Sequence, residues 1–142
     1  AGTPIPVYGR GTNVRDWLHV ADHADALWHI VCHGVTGETY NVGGGTELPN
    51  LAVVEALCRT VAQVTGAGED DLLAQIAFVT DRPGHDRRYA IDAAKLARLG
   101  WQPTRSFADG LRETVRWYLD NRPWWESVMS GAYRGERLGL KA

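Results

Sequence analysis

The stretch DRPGHDRRYAID, residues 81–92, surrounds a rigid Pro-Gly turn with ionisable side chains. Pro83 fixes its own φ and favours an extended conformation for Arg82, while Gly84 permits a sharp bend. The guanidinium of an arginine is a planar fork that matches the oxygens of a phosphate or a carboxylate. The segment therefore predicts an anion-binding turn. The alternative is a surface loop whose basic residues pair with the aspartates of the same segment.

Short β-type runs precede this segment in the chain. Residues 5–8 and 76–79 predict strands, the first followed by a tight glycine turn and the second leading into residues 81–92. Residues 39–42 form a further β-rich run that three glycines end. The acidic residues 67–71 predict a solvated connection.

Four apolar stripes at helical spacing predict four helices. Each stripe has a capping residue at its start and a glycine or proline at its end. These boundaries are Asp22 and Gly34, Asn50 and Gly66, Asp92 and Gly100, and Ser106 and Pro123. Ser106 and Asp109 also match a capping box. The pattern as a whole predicts a helix-rich α/β chain with short strands.

The composition indicates one soluble globular domain with a core of ordinary size. The chain has 142 residues, of which 44% are hydrophobic and 23% charged, and its net charge is −2. No basic surplus points to nucleic acid, and no apolar run is long enough to cross a membrane. The N-terminus lacks the parts of a signal peptide. Cys32 and Cys58 lie in apolar helical patterns and predict buried free thiols in a reducing cytosol.

Metal and phosphate motifs are weak in this sequence. His19 and His23 have the i, i+4 spacing of a metal pair, as do His29 and His33, but the two pairs are rotated away from each other on the helix. We therefore expect no metal. The glycines at 43–45 could cradle a phosphate, yet no complete dinucleotide or P-loop motif is present, so a loop that ends a strand is favoured.

Several motifs together resemble one enzyme family. PVYGRGTNVRDWLHVADHADAL (6–27), ETYNVGG (38–44) and DRPGHDRRYAID (81–92) are similar, in this order, to the C-terminal portion of dTDP-glucose 4,6-dehydratases. GWQP (100–103), ETVRWYL (113–119) and SGAY (130–133) continue the match. These enzymes are nucleotide-sugar members of the extended short-chain dehydrogenase family.

The resemblance implies the site residues one by one. Pro6, Val7 and Tyr8 match a segment along the bound nucleotide. Arg15 matches an arginine that contacts the nucleotide diphosphate, and Asn50, in the turn at 47–50, matches an asparagine on the nucleotide. The matching binding turn consists of Asp81, Arg82, Pro83, Gly84 and His85, with Arg82 and His85 as its main side-chain contributors.

The resemblance also implies the reaction and the partners. The family enzymes are cytoplasmic homodimeric lyases in which NAD oxidises the sugar at C4, water leaves across C5 and C6, and the hydride returns to C6. Their NAD motif, Tyr-x-x-x-Lys pair and other catalytic residues do not match any part of this chain. Residues 1–142 are therefore expected to be a single, partial domain that binds a dTDP-sugar, with the Rossmann core largely absent and NAD held by a missing N-terminal domain.

The same departures predict that the chain alone is inactive. Residues 134–142 lack the family's aromatic ending and are expected to be a flexible tail. Three alternatives stay open: a stand-alone nucleotide-sugar-binding or regulatory module, a piece that completes a site with a separate Rossmann-domain chain, and part of a related nucleotide-sugar epimerase or dehydratase.

Overall fold

Six helices and four short strands make up residues 2–131, which are the residues that the structure, a computed structural model, describes. The strands are β1 (Ile5–Tyr8), β2 (Val14–Asp16), β3 (Glu47–Pro49) and β4 (Ile76–Val79). The helices are α1 (Val20–His33), α2 (Asn50–Thr65), α3 (Glu69–Leu73), α4 (Ala94–Arg98), α5 (Phe107–Asp120) and α6 (Arg122–Gly131). The expected strands at 5–8 and 76–79 are confirmed, as is the helix-rich α/β class.

The strands form two small two-stranded sheets. β1 and β4 are parallel, with Ile5 opposite Ile76 and Tyr8 opposite Val79. β2 and β3 are antiparallel, and β3 occupies the place where the sequence suggested a turn before Asn50. Because β1 and β4 run in the same direction, the loops that follow them leave the sheet at the same edge.

Helix α1 begins earlier than its sequence predicts. Its N-cap is His19, whose Nδ1 accepts a hydrogen bond from the backbone N–H of Ala21 at 3.3 Å. The prediction that Asp22 caps the helix was therefore wrong. Asp22 lies within the first turn, is only 2% exposed, and accepts hydrogen bonds from Thr104 and Arg105. Gly34 ends the helix as expected.

One cluster of the buried core lies between α1 and α4. Ala26, Leu96 and Trp101 are buried at its centre, with Tyr40 and Val42 packed against them. Residues 39–42 contribute these side chains without forming a strand, so the β-rich pattern there was misleading. A strand needs a partner, and residues 2–131 provide none for this run.

The remaining helices follow the sequence closely except at their starts. The N-cap of α2 is Pro49, and Asn50 is the first residue of the helix, so the expectation that Asn50 caps it was wrong. α2 ends at Gly66, whose positive φ of 76° is the left-handed conformation typical of a helix C-cap. The acidic residues before β4 form the short helix α3 instead of an irregular connection. Asp92 accepts a hydrogen bond from Ala94 N–H at 2.9 Å, although the N-cap itself is Ala93.

Helix α5 begins at the expected capping box. The hydroxyl of Ser106 accepts a hydrogen bond from Asp109 N–H at 3.1 Å. Pro123 then lies in the first turn of α6, where a missing N–H costs nothing. Cys58 is buried as predicted, but Cys32 is exposed, so that expectation was wrong for Cys32.

No helix within residues 2–131 has both the length and the apolar character needed to cross a bilayer. The tail expected at residues 134–142 lies outside the described part of the chain.

Candidate functional site

The shared edge of β1 and β4 brings two of the predicted segments together. Gly9 N–H, just after β1, donates to Val79 O at 2.8 Å, and the ring of Tyr8 meets the ring of His85 edge-on at 6.1 Å between centroids. A side chain on Gly9 would collide with the carboxylate of Asp81, since an added Cβ would lie 2.9 Å from its Oδ2. The absence of a side chain at this position is therefore what lets residues 81–85 approach β1.

A carboxylate-imidazole pair fixes the turn at 81–85. His85 Nδ1 lies 2.7 Å from Asp81 Oδ1, and the same oxygen accepts the N–H of Arg82 at 2.9 Å. The hydrogen bond from His85, helped by that from Arg82 N–H, lowers the pKa of Asp81. Gly84 has a φ of 67°, a backbone conformation that residues with a side chain rarely adopt. The turn is thus held from both ends.

Arg15 is docked on the same segment without a carboxylate partner among residues 2–131. Its guanidinium donates to the backbone carbonyls of Val14 at 2.7 Å and Asp86 at 3.1 Å. Its Cζ lies 4.1 Å from the centre of the Tyr89 ring, in cation-π geometry. Carbonyls and an aromatic face orient a guanidinium while leaving its full charge uncompensated. Such an arginine is suited to binding an anion.

Asn13 ties three elements together at this point. Its side-chain Nδ2 donates to the backbone carbonyl of Asp86 at 3.1 Å. Its backbone carbonyl accepts a hydrogen bond from the N–H of Asn50, at the start of α2, at 2.9 Å. Asn13 is 8% exposed, so these bonds are made in a largely dry environment. Asn50 is thereby brought to the same side of the fold as Arg15. The structure thus gathers Tyr8, Arg15, Asn50 and residues 81–85 around one edge.

The other predicted residues occupy different environments. Val7 is 1% exposed and belongs to the core, so its side chain cannot reach a ligand. Pro6 is exposed on β1, and Pro83 is exposed in the turn. Arg82 is also exposed, and no ion pair among residues 2–131 involves its guanidinium.

The surface-loop alternative accounts for only part of the segment. His85 does pair with Asp81, but Asp86 accepts a short hydrogen bond from the hydroxyl of Tyr89 instead of pairing with an arginine. Arg88 forms a two-pronged pair with Glu47, at 2.7 and 3.0 Å, which fastens the segment to β3. Arg15 and Arg82 have no acidic partner in the described part of the chain. An anion-binding turn needs such arginines, because an acidic partner would take the place of the ligand.

The glycine run at 43–45 does not cradle a phosphate. The N–H groups of Gly44 and Thr46 both donate to the carboxylate of Asp16, at 2.8 and 2.9 Å. An added Cβ on Gly44 would lie 2.2 Å from Trp17 O, so the glycine is needed for close backbone packing. Because Asp16 occupies these donors, the run is not suited to holding the diphosphate of NAD.

No cluster of three or more metal-ligating side chains occurs within residues 2–131. Instead, His29 Nε2 lies 3.1 Å from the carbonyl of Leu99, a packing contact between α1 and the end of α4. Two clefts are also present, one of about 180 Å³ beside Trp17 and Phe107 and a shallower one of about 430 Å³ beside Tyr40 and Ile91. Neither is lined by the predicted binding residues.

Comparison with known proteins identifies the family. Residues 1–114 match the family model described as GDP-mannose 4,6 dehydratase. The chain belongs to this dehydratase family. A dTDP-glucose 4,6-dehydratase from Neisseria meningitidis is 54% identical over 142 residues, and one from Escherichia coli is 50% identical over 144. The resemblance argued from residues 6–27, 38–44 and 81–92 is therefore confirmed.

Solved structures of the family agree with the fold. DesIV, a dTDP-glucose 4,6-dehydratase from Streptomyces venezuelae solved with NAD and a dTDP ligand bound, matches with a TM-score of 0.78 and 43% identity. The match covers 89% of this chain and 37% of DesIV. The alignments to the two curated relatives cover 97% and 99% of this chain but only 40% of the length of each relative. The chain thus spans about two fifths of these relatives.

Two residues of the site escaped prediction from sequence. Asn13 organises the site through a backbone carbonyl of a distant segment, and Tyr89 supplies the ring beneath Arg15. Tyr89 had a usable signal, because it directly follows the arginines of the binding turn and opens an alternating run. Asn13 had none, since a polar residue between a glycine turn and a strand is ordinary loop composition.

Proposed function

We propose that this chain is the nucleotide-sugar-binding part of an NAD-dependent dTDP-glucose 4,6-dehydratase, a lyase that makes dTDP-4-keto-6-deoxyglucose. The observation that carries the proposal is the uncompensated guanidinium of Arg15, docked on residues 81–92. The identity of about one half to dTDP-glucose 4,6-dehydratases supports the choice of substrate.

We assign the roles of the residues from the family resemblance, and their placement supports the assignment. Arg15 and Arg82 supply positive charge for the diphosphate, and His85, whose Nδ1 is held by Asp81, supplies its other ring nitrogen to the ligand. Asn50 offers an amide to the nucleotide from the start of α2. Pro6, Val7 and Tyr8 line the nucleotide along β1, with Val7 acting only through its backbone because its side chain is buried. Pro83 and Gly84 set the shape of the turn.

We assign NAD to a separate Rossmann domain. The glycine run of this chain is taken up by Asp16, and the sequence contains neither a complete dinucleotide motif nor a Tyr-x-x-x-Lys pair. The cofactor would supply the hydride acceptor for the sugar, and this chain's residues would bind and orient the sugar nucleotide. We expect a cytoplasmic homodimer, as the family resemblance implies.

The exposed face of α1 supports a Rossmann domain as partner. Val20, Leu27, Trp28 and Val31 are between 50% and 74% exposed on this helix. Large apolar side chains concentrated on one helix mark a surface that packs against another structure. Residues 40–42 of the β-rich run, which has no partner strand within residues 2–131, line one cleft together with Leu27 of this helix. A dinucleotide-binding domain would cover both features.

Titration of the intact protein with dTDP tests the binding proposal. Replacing Arg15 with Gln, or Arg82 with Ala, should weaken binding by roughly 1.5–3 kcal/mol, because each change removes charge-assisted hydrogen bonds to the diphosphate. Arg122→Gln is the matched control, since Arg122 lies on α6 and pairs with Glu126. Calorimetry that finds unchanged affinity in both site variants would refute the proposal.

A further inference from the structure

The ring and the hydroxyl of Tyr89 make two separate contacts in the binding site. The ring lies beneath the guanidinium of Arg15, 4.1 Å from Cζ to the ring centroid. The hydroxyl donates to the carboxylate of Asp86. Asp86 is the same residue whose backbone carbonyl accepts the hydrogen bond from Arg15 at 3.1 Å. One tyrosine therefore contacts both the arginine and the acidic side chain nearest to it in the segment.

The carboxylate of Asp86 is a candidate competitor for Arg15. It belongs to the residue whose backbone carbonyl Arg15 already contacts, and the Tyr89 side chain contacts both the guanidinium and this carboxylate. An arginine-carboxylate pair of this kind would satisfy the fork that an anionic ligand needs. In the observed structure that pair is absent, and the hydroxyl of Tyr89 holds the carboxylate instead.

We propose that Tyr89 is a positioning residue that keeps Arg15 available for the diphosphate, its ring supporting the guanidinium and its hydroxyl sequestering Asp86. The inference rests on the proposed function, because it assumes that Arg15 binds the anion. Asp86, Arg82 and Arg15 are the charged groups around the hydroxyl, and the hydrogen bond to Asp86 raises the pKa of Tyr89, so the phenol stays protonated as a donor.

The backbone around Tyr89 is held independently of its side chain. Tyr89 N–H donates to Val14 O at 3.1 Å, and Val14 N–H donates to Arg87 O at 2.8 Å. Arg88 adds the two-pronged pair with Glu47. Since Tyr89 is 48% exposed, loss of its hydroxyl should leave the fold intact and change the electrostatics of the site alone.

The test is a double-mutant cycle on dTDP affinity, measured by calorimetry on the intact protein. Tyr89→Phe keeps the ring and frees Asp86, so dTDP should bind about threefold to tenfold more weakly. Asp86→Asn alone should bind dTDP at least as tightly as the wild type, because it removes a negative charge beside the anion site. The double variant, Tyr89→Phe with Asp86→Asn, should recover wild-type affinity to within about twofold.

Controls separate this inference from the proposed function. Tyr118→Phe, which removes a hydroxyl from an exposed tyrosine on α5, should bind dTDP as the wild type does. If the wild type fails to bind dTDP, the proposed function itself is wrong. If the wild type binds but Tyr89→Phe binds equally well, or if the double variant stays as weak as Tyr89→Phe, then Tyr89 does not act by sequestering Asp86.

Discussion

Single residues in this chain derive their roles from partners far away in sequence. Asp22 is the clearest example, because its carboxylate accepts hydrogen bonds from Thr104 Oγ1 at 2.8 Å, Arg105 N–H at 3.0 Å and Arg105 Nη1 at 2.8 Å. Burial alone would raise the pKa of Asp22, but the hydrogen bonds from Thr104 and Arg105 outweigh burial and hold the pKa below its usual value. A buried charge with all its partners in place fastens α1 to the segment that precedes α5.

Replacing Asp22 with Asn should destabilise the protein by about 2–4 kcal/mol at neutral pH, because Arg105 loses its buried counter-ion. A depressed carboxyl pKa contributes stability above the unfolded pKa of about 4, and this stability is lost as the pH falls through the lower folded value. The difference between wild type and Asp22→Asn should therefore shrink in acid.

Urea unfolding of the intact protein over a pH series measures this difference. Asp120→Asn is the control, since Asp120 is exposed at the end of α5 and should change stability by less than about 0.5 kcal/mol. A stability difference for Asp22→Asn that does not vary with pH would contradict a role for the ionised carboxylate.

Helices and strands differ in how far their sequence determines them. The capping box of α5, the glycine end of α2 and both strands of the β1–β4 sheet could be predicted, because local geometry fixes them. The β-rich run at 39–42 could not, since pattern alone does not supply a partner strand. The prediction of where α1 starts was wrong for a related reason. An aspartate near a helix start is compatible both with capping and with an ion pair, and the contacts from residues 104–105 decide between the two.

The geometry of the candidate site was predictable to a similar extent. Residues 81–85 carry their own turn geometry and charge, so a charged turn at this position could be predicted from the sequence, and its role in binding an anion stays a prediction. The support of Arg15 by Asn13 and Tyr89 depends on the tertiary approach of Val14 to residues 87–89, which no local pattern encodes.

Ser106 offers a test at the scale of one helix. Ser106→Ala should destabilise α5, and with it the protein, by about 1 kcal/mol, because Asp109 N–H loses its acceptor. Ser106→Asn should retain most of the stability, since asparagine is an equally good N-cap. Thermal and urea unfolding measure both variants. Equal stability of the Ala and Asn variants would exclude the cap as the cause.

At the scale of the whole molecule, two findings support the proposal that the chain packs against a further domain. The chain spans about two fifths of its curated relatives, and one helix carries exposed Val20, Trp28 and Val31. None of the predicted binding residues lines the clefts beside Trp17 and Tyr40, and we expect a ligand at the candidate edge to be enclosed only partly by residues 2–131. A second domain would complete both the enclosure and the chemistry.

The isolated 142-residue chain should therefore show no turnover of dTDP-glucose when NAD is supplied. A protein that joins this chain to a Rossmann domain carrying the NAD motif and the Tyr-x-x-x-Lys pair should form the 4-keto-6-deoxy product. Absorbance of the keto sugar in alkali, or chromatography of the nucleotide sugars, measures both. Product formation by the isolated chain would overturn the division of roles between the two parts.

The parallel pairing of β1 with β4 bears on when the candidate binding edge forms during folding. Ile5 meets Ile76, so closing this sheet requires the chain ends of a long loop to meet, at a cost in entropy that only later contacts repay. Most of the loop is helical and can form through local contacts, whereas the edge that carries Tyr8 and His85 cannot exist until the two strands join. We therefore expect the candidate binding edge to form late in folding, in the same step that closes the sheet.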